Sequence, residues 1–322
     1  MVLEFVLFAL GFFVLIKGAD LVVTGASGIA KKMGVSQLVI GLTIVAFGTS
    51  APELGVNIFS ALKGVTDIAI GNILGSNIAN ILLILGISAM FADLTVQKDT
   101  IFKEIPFSLL AALVLIFLAA DGLFISSYES LLTRGDGLTL LAFFSIFFYY
   151  TVSIAKNGNT KIEEEEDKET TKKILHLVFI IILGFVMLVF GGRWIVNGAT
   201  TIAELLGLSQ SIIGLTIVAI GTSLPELVTS VIAVRKGEID IAIGNVVGSN
   251  IFNIFLVLGI TSIIRPLPFS DTALSYAFMT VATSMLLFAF LFVGKRHTID
   301  RWQGYVYVGL YILYIVYIIF IS

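Results

Sequence analysis

Cysteine is absent from the 322-residue chain, which excludes disulfides, thiolate metal centres and cysteine nucleophiles. Charge is scarce too: 13% of residues are charged against 58% hydrophobic, and the mean hydropathy of +1.06 lies far outside the range of water-soluble domains. The chain therefore reads as an integral membrane protein. It has no GxxxxGK[ST] phosphate loop and no nucleophile elbow, so ATP coupling and covalent catalysis have no support and the chain does not read as an enzyme. The two histidines, His176 and His297, fall at helix ends or in loops without a repeated partner and read as surface or interface residues, not a proton relay.

Apolar runs fill most of the rest. "FIIILGFVMLVF" (179–190) is apolar on every side, which suits a membrane helix and not the alternating strands of a barrel. Ten membrane segments are predicted, at 2–30, 36–62, 67–91, 104–121, 136–154, 174–204, 209–234, 240–264, 272–294 and 303–321. "MVLEFVLFALGFFVLIKGAD" has an acidic residue where a secretory signal is basic, and reads as the first membrane helix, not a cleaved peptide. The polar stretch 156–173 divides the chain into halves 1–155 and 174–322. Its acidic run, Glu163–Asp167, lacks the spaced ligands and the glycine of an EF-hand and reads as a solvated linker. The aromatic-rich ending "YVYVGLYILYIVYIIF" reads as lipid contact.

With the N-terminus outside, the inner loops carry fourteen lysines and arginines and the outer loops three, Lys63, Arg134 and Arg265. This places both termini outside and the acidic linker in the cytoplasm.

An internal repeat is the most informative feature. From Gly11 to Gly86 the chain lies without gaps over Gly184 to Gly259 at an offset of 173, and residues 41–86 match 214–259 at 29 of 46 positions. Two copies of one structural unit follow. Each holds an odd number of helices, so the second enters the membrane from the opposite side, an inverted repeat of the kind that places transporter sites at the midplane. Each copy carries one acid in its apolar heart, Glu53 in "GTSAPE" and Glu226 in "GTSLPE". An ionised carboxylate there costs at least about 2.5 kcal/mol and marks an ion or proton path. Pro52 and Pro225 lack an N–H, which predicts broken helices with freed carbonyls near Ala46–Gly48 and Ala219–Gly221. The following helices add Ser76 and Asn80, then Ser249 and Asn253, each pair one turn apart, beside the GxxxG pairs Gly71 and Gly75, Gly244 and Gly248. Carboxylates, amides, hydroxyls and carbonyls are all oxygen donors, a set suited to Ca²⁺ or Na⁺ and not to zinc or copper. Asp20 and Arg193, equivalent in the two copies, either pair with each other or snorkel separately, and Lys17 has the same two options.

On these motifs the chain resembles the Ca²⁺/cation antiporter superfamily, in particular the compact prokaryotic members of its Na⁺/Ca²⁺ exchanger family. The segments "GTSAPE…GNILGSNIAN" and "GTSLPE…GNVVGSNIFN" look like that family's two α-repeats. The resemblance implies an all-α membrane fold of ten helices in two inverted five-helix repeats, with the first and sixth helices sliding across the others. It implies Glu53 and Glu226 as the centre of the ion site. Thr49, Ser50, Thr222 and Ser223 contribute hydroxyls or carbonyls, Ala46 and Ala219 carbonyls, and Ser76, Asn80, Ser249 and Asn253 complete the set. The substrates are Ca²⁺ and Na⁺, with no cofactor, no nucleic acid and no obligate protein partner. K⁺-dependent members carry aspartate where this chain has Asn253, so K⁺ independence is expected. Proton-coupled members replace the GTSxPE segment with a GNAxE-like one, which favours Na⁺ as the coupling ion. A Ca²⁺/H⁺ antiporter on the same fold and a passive cation channel remain the alternatives.

Overall fold

The structure is a computed structural model that describes residues 2–119, 130–157, 168–205 and 219–321. The acidic run Glu163–Asp167 and residues 209–218 of the seventh expected segment lie outside the described residues. A chain with this little polar side-chain capacity must satisfy its backbone within helices. The helices are α1 (Val2–Met33), α2 (Gln37–Thr49), α3 (Ala51–Lys63), α4 (Thr66–Phe91), α5 (Lys98–Ala119, interrupted at Lys103), α6 (Arg134–Asn157) and α7 (Lys168–Leu205). They continue as α8 (Ala219–Thr222), α9 (Leu224–Arg235), α10 (Ile239–Ile264), α11 (Asp271–Phe290) and α12 (Arg301–Ile321). Seven described helices are long and apolar enough to cross a membrane, or eight counting the pair α2 and α3, which bends by 44° at Ser50. Phenylalanines such as Phe13, Phe117 and Phe179 stand exposed around the outside, an apolar surface that suits lipid and not water.

Four two-residue strands, not foreseen from the sequence, tie helix ends together. Leu94–Thr95 pairs antiparallel with Thr298–Ile299, and Leu131–Leu132 with Leu267–Pro268. Backbone groups that leave a helix find partners this way. Leu94 and Leu267 are themselves related by the 173-residue offset. So are Gly64 and Gly237, which end α3 and α9 with the same φ of 78°, a conformation that glycine adopts without steric cost.

The centre is built on α4 and α10, the most enclosed of the spans. Each widens into a π-helical stretch at its repeated asparagine, over Asn80–Leu85 and Phe252–Leu258; such widened turns recur at functional sites. On either side of Asn253 in the chain, Phe255 stacks on Phe143 and meets Phe107 edge-on, and Phe252 meets Phe144 and Phe147 edge-on, which ties α10 to α5 and α6. Glycines let α10 approach α2 closely: a Cβ at Gly244 would lie 2.7 Å from the Leu38 carbonyl oxygen, and one at Gly248 would lie 2.7 Å from the Ala46 Cβ.

The long helices α1 and α7 pack antiparallel along their length. Glycines recur every seven residues on both, at 11, 18 and 25 and at 184, 191 and 198. Gly18 faces Gly184, where a Cβ on either would stand 2.8 Å from the other's carbonyl oxygen, and Gly11 faces Gly191 at 3.0 Å. Polar contacts fasten α1 to the turn after α9. Lys236 Nζ lies 2.5 Å from Asp20 Oδ1 and donates to Thr24 Oγ1 at 2.7 Å, and Ser27 Oγ donates to Glu238 Oε1 at 2.6 Å. Asp20 thus pairs with Lys236 and not with Arg193, because the bend of α9 into Gly237 carries the lysine to its carboxylate. The equivalent pair of positions in the other copy, Arg193 and Lys63, are both basic, so charge forbids the same ion pair there.

Gly184→Leu should force α1 and α7 apart and destabilise the protein by about 1–3 kcal/mol, read as a lowered midpoint of thermal unfolding in detergent. Gly309→Ala, at an exposed helical position with no described neighbour within 4 Å, should leave the midpoint unchanged or slightly raised.

Candidate functional site

Both glutamates sit where a helix restarts. Ser50 (φ −83°, ψ 5°) breaks α2 from α3, and Ser223 (φ −86°, ψ 5°) breaks α8 from α9. Pro52 and Pro225 occupy the first turn of the new helix, and Glu53 and Glu226 follow in that same turn, each 1% exposed. A helix N-terminus directs its unpaired N–H groups and the positive end of its dipole toward a carboxylate. The sequence at these breaks therefore makes two anion-tolerant positions in an apolar interior.

The freed carbonyls do not all appear as expected. The Ala46 carbonyl accepts from the Ser50 N–H at 3.0 Å and from Thr49 Oγ1 at 3.3 Å, because the chain continues in helical geometry as far as Thr49. In the second copy the Ser223 N–H bonds the Ile220 carbonyl at 3.1 Å.

The hydroxyls and amides join the two copies through reciprocal bonds. Thr49 Oγ1 donates to Asn245 Oδ1 at 2.9 Å, and Thr222 Oγ1 donates to Asn72 Oδ1 at 3.2 Å. Ser50 meets Ser249 at 2.9 Å, and Ser223 meets Ser76 at 3.2 Å. Asn80 Nδ2 donates to Asn250 Oδ1 at 2.9 Å, and Asn253 Nδ2 donates to Asn77 Oδ1 at 3.0 Å. Within each pair of bonds, the residues exchange under the 173-residue offset. The offset breaks down at the carboxylates. Ser50 Oγ reaches across to Glu226 Oε1 at 3.1 Å, which brings both acids into one cluster. Neither oxygen of Glu53 completes a hydrogen bond among the described residues, although Thr222, Ser76 and Glu226 are close enough to act on it.

On these two carboxylates and two amides, five buried acceptor oxygens lack a donor among the described residues: both of Glu53, Glu226 Oε2, Asn80 Oδ1 and Asn253 Oδ1. No ion pair to either glutamate occurs among the described residues, nor does any group of three or more histidines and carboxylates. A carboxyl-bearing cluster with more acceptors than donors to fill them suits a hard cation.

Sequence reasoning placed the asparagines at 80 and 253 but passed over the buried Asn57, Asn77, Asn245 and Asn250 and the half-buried Asn72. Their signal was the repeat itself, since 72 and 77 recur at 245 and 250. It also passed over Glu104, buried outside the cluster and bound by the Tyr150 hydroxyl.

This arrangement has known counterparts. The family model described as "Sodium/calcium exchanger protein" matches residues 3–153 and 176–320. The chain belongs to the sodium/calcium exchanger family. As a family member it is a multi-pass membrane transporter whose class moves Ca²⁺ and Na⁺. It is similar to CaxA of Alkalimonas amylolytica, 40% identical over 301 residues, which span 91% of this chain and 92% of that one. It is also similar to the sodium/calcium exchanger MaX1 of Methanosarcina acetivorans, 35% identical and covering 99% of each chain. A solved structure of the sodium-calcium exchanger NCX_Mj, soaked with Na⁺ and Sr²⁺, matches with a TM-score of 0.81 at 35% identity over 98% of both chains.

Asn245 accepts from Thr49 and donates to Ser230 at 3.0 Å. Asn245→Ala should remove both buried hydrogen bonds, leaving Thr49 only its longer bond to the Ala46 carbonyl, and destabilise the protein by about 1–3 kcal/mol, measured by thermal unfolding in detergent.

Proposed function

We propose that the protein is a secondary-active antiporter that exchanges Na⁺ for Ca²⁺ by alternating access through a single central site. The observation that carries this reading is the set of five donor-less buried oxygens, shared between two carboxylates and two amides from the two copies. Glu53 and Glu226 contact Ca²⁺ directly. Thr49, Ser50, Ser76, Thr222, Ser223 and Ser249 offer hydroxyl or carbonyl oxygens, Asn80 and Asn253 their amide oxygens, and Ala219 its carbonyl; the Ala46 carbonyl joins them when it gives up its bond from Thr49. The names of MaX1 and NCX_Mj, both sodium and calcium exchangers, support the choice of ions.

The physics of exchange follows from the charge count. Two carboxylates offset one Ca²⁺. When Ca²⁺ leaves, two unpaired charges in a low-dielectric interior cost several kcal/mol each, so the site does not reorient until other cations have entered. Na⁺ entering the same oxygens fills that role, and competition for one site couples the two fluxes. Three Na⁺ against one Ca²⁺ move one net positive charge per cycle, worth about 2.3 kcal/mol per 100 mV. Asn253 presents an amide where a carboxylate would add a third charge, which favours K⁺-independent exchange.

Alternating access rests on ten helices in two inverted five-helix repeats, 1–155 and 174–322, joined by the cytoplasmic linker 156–173. Their α-repeats are 41–86 and 214–259. The glycine-lined pair α1 and α7 slides as one body against the core built on α4 and α10. Charge placement puts both termini outside the cell membrane, and the compact chain suits a prokaryotic plasma membrane.

The test is uptake of radioactive Ca²⁺ into proteoliposomes loaded with Na⁺, against vesicles loaded with K⁺ or carrying only a pH gradient. Uptake is expected only with internal Na⁺ and should respond to an imposed membrane potential. Glu53→Gln and Glu226→Gln should each lower it at least about a hundredfold, given the loss of a direct charged ligand. Uptake driven by the pH gradient alone would reassign the protein to Ca²⁺/H⁺ exchange, and uptake into every vesicle would make it a channel.

A further inference from the structure

The ligand amides of Asn80 and Asn253 have two chemically opposite ends. A cation is held by Oδ1 and repelled by the Nδ2 hydrogens, so an amide free to rotate by 180° is a poor ligand. In each case the NH₂ end is occupied by a residue of the other repeat: Asn250 Oδ1 takes Asn80 Nδ2 at 2.9 Å, and Asn77 Oδ1 takes Asn253 Nδ2 at 3.0 Å. Asn77 and Asn250 are buried to 0% and 2% exposure, deep enough that water does not substitute for them.

The direction of the chain of bonds is fixed at its start. Asn77 Nδ2 donates to the backbone carbonyl of Asn250 at 3.2 Å, and a carbonyl can only accept. The amide of Asn77 must therefore present its nitrogen to that carbonyl and its oxygen to Asn253. Asn253 must in turn donate its nitrogen and turn Oδ1 away. That oxygen, like Asn80 Oδ1, is one of the buried acceptors without a donor among the described residues. A flip of either amide would bring oxygen against oxygen or N–H against N–H in an interior where neither is tolerated.

We propose that Asn77 and Asn250 are positioning residues that lock the amides of Asn253 and Asn80 with their oxygens toward the cation. Each ligand is thereby oriented by the opposite repeat, so the two halves of the site are competent only together. The pair α4 and α10 then keeps one geometry while other helices move. This inference rests on the reading of Asn80 and Asn253 as cation ligands.

The experiment is a double-mutant cycle on the purified full chain in detergent, with radioactive Ca²⁺ binding at equilibrium as the readout and thermal unfolding recorded for every variant. With asparagine at 253, Asn77→Ala should raise the Kd for Ca²⁺ about tenfold, the scale of one lost buried hydrogen bond. In the Asn253→Asp background both ends of the side chain are oxygens, orientation is irrelevant, and the same Asn77→Ala change should shift the Kd by less than about twofold or tighten binding. The pair Asn250→Ala and Asn80→Asp gives the same comparison on the other side should Asn77→Ala fail to fold. An equal loss in both backgrounds would overturn the positioning role and leave the cation site standing. Unchanged Ca²⁺ binding by Glu53→Gln and Asn253→Ala would instead overturn the site itself, and the positioning role with it.

Discussion

Two carboxylates in a low-dielectric interior, without a basic partner among the described residues, set the terms for everything else in the molecule. Bulk water would solvate such charges and an arginine would pair them; both acids are buried away from the surface, and no ion pair reaches them among the described residues. What surrounds Glu53 and Glu226 compensates in part: helix N-termini behind them and hydroxyls beside them. That environment lowers the cost of the charge without cancelling it. On the function proposed above, the remaining deficit is what a cation fills, and its size is what prevents the site from crossing uncompensated. Binding and coupling are in this sense the same electrostatic fact.

Duplication gives the site its form. Each broken helix supplies one of the two acids, and the reciprocal bonds between Thr49 and Asn245, Thr222 and Asn72, Asn80 and Asn250, Asn253 and Asn77 stitch the two copies into one cluster. The symmetry is not complete. Ser50 bonds Glu226, whereas Ser223 is turned to Ser76 and leaves Glu53 without that bond. Two chemically equivalent acids thus stand in different local environments within one structure. An inverted architecture exchanges such environments when it changes state.

The scaffold divides into parts held by different forces. The centre is close-packed, with α2 against the glycines of α10 and the phenylalanines of α5 and α6 against Phe252 and Phe255. The pair α1 and α7 is instead joined backbone to backbone at Gly11, Gly18, Gly184 and Gly191. Its fastening to the core includes the polar contacts of Asp20, Thr24 and Ser27 with Lys236 and Glu238. Such polar contacts can be broken and remade more readily than interdigitated apolar packing, which suits an element that moves.

Much of this protein was legible without coordinates. The apolar composition required membrane helices, the 173-residue offset disclosed two copies, and an acid after a proline in each copy marked the breaks and the charge. All of these are local or periodic features, and local chemistry is what a sequence records directly. The heptad glycines of α1 and α7 were equally visible, yet their register, Gly18 on Gly184 and Gly11 on Gly191, follows from an antiparallel packing that no single segment specifies. The same holds for Asp20, which meets Lys236 and not its repeat-mate Arg193, and for the Ala46 carbonyl, already engaged by Ser50 and Thr49. Which way an amide points depends on a partner some 170 residues away in the chain. Sequence by itself determined the chemical inventory and its duplication; only the tertiary structure decided which donors are spent on protein partners and which oxygens are left facing inward, because hydrogen bonds are allotted by proximity in space.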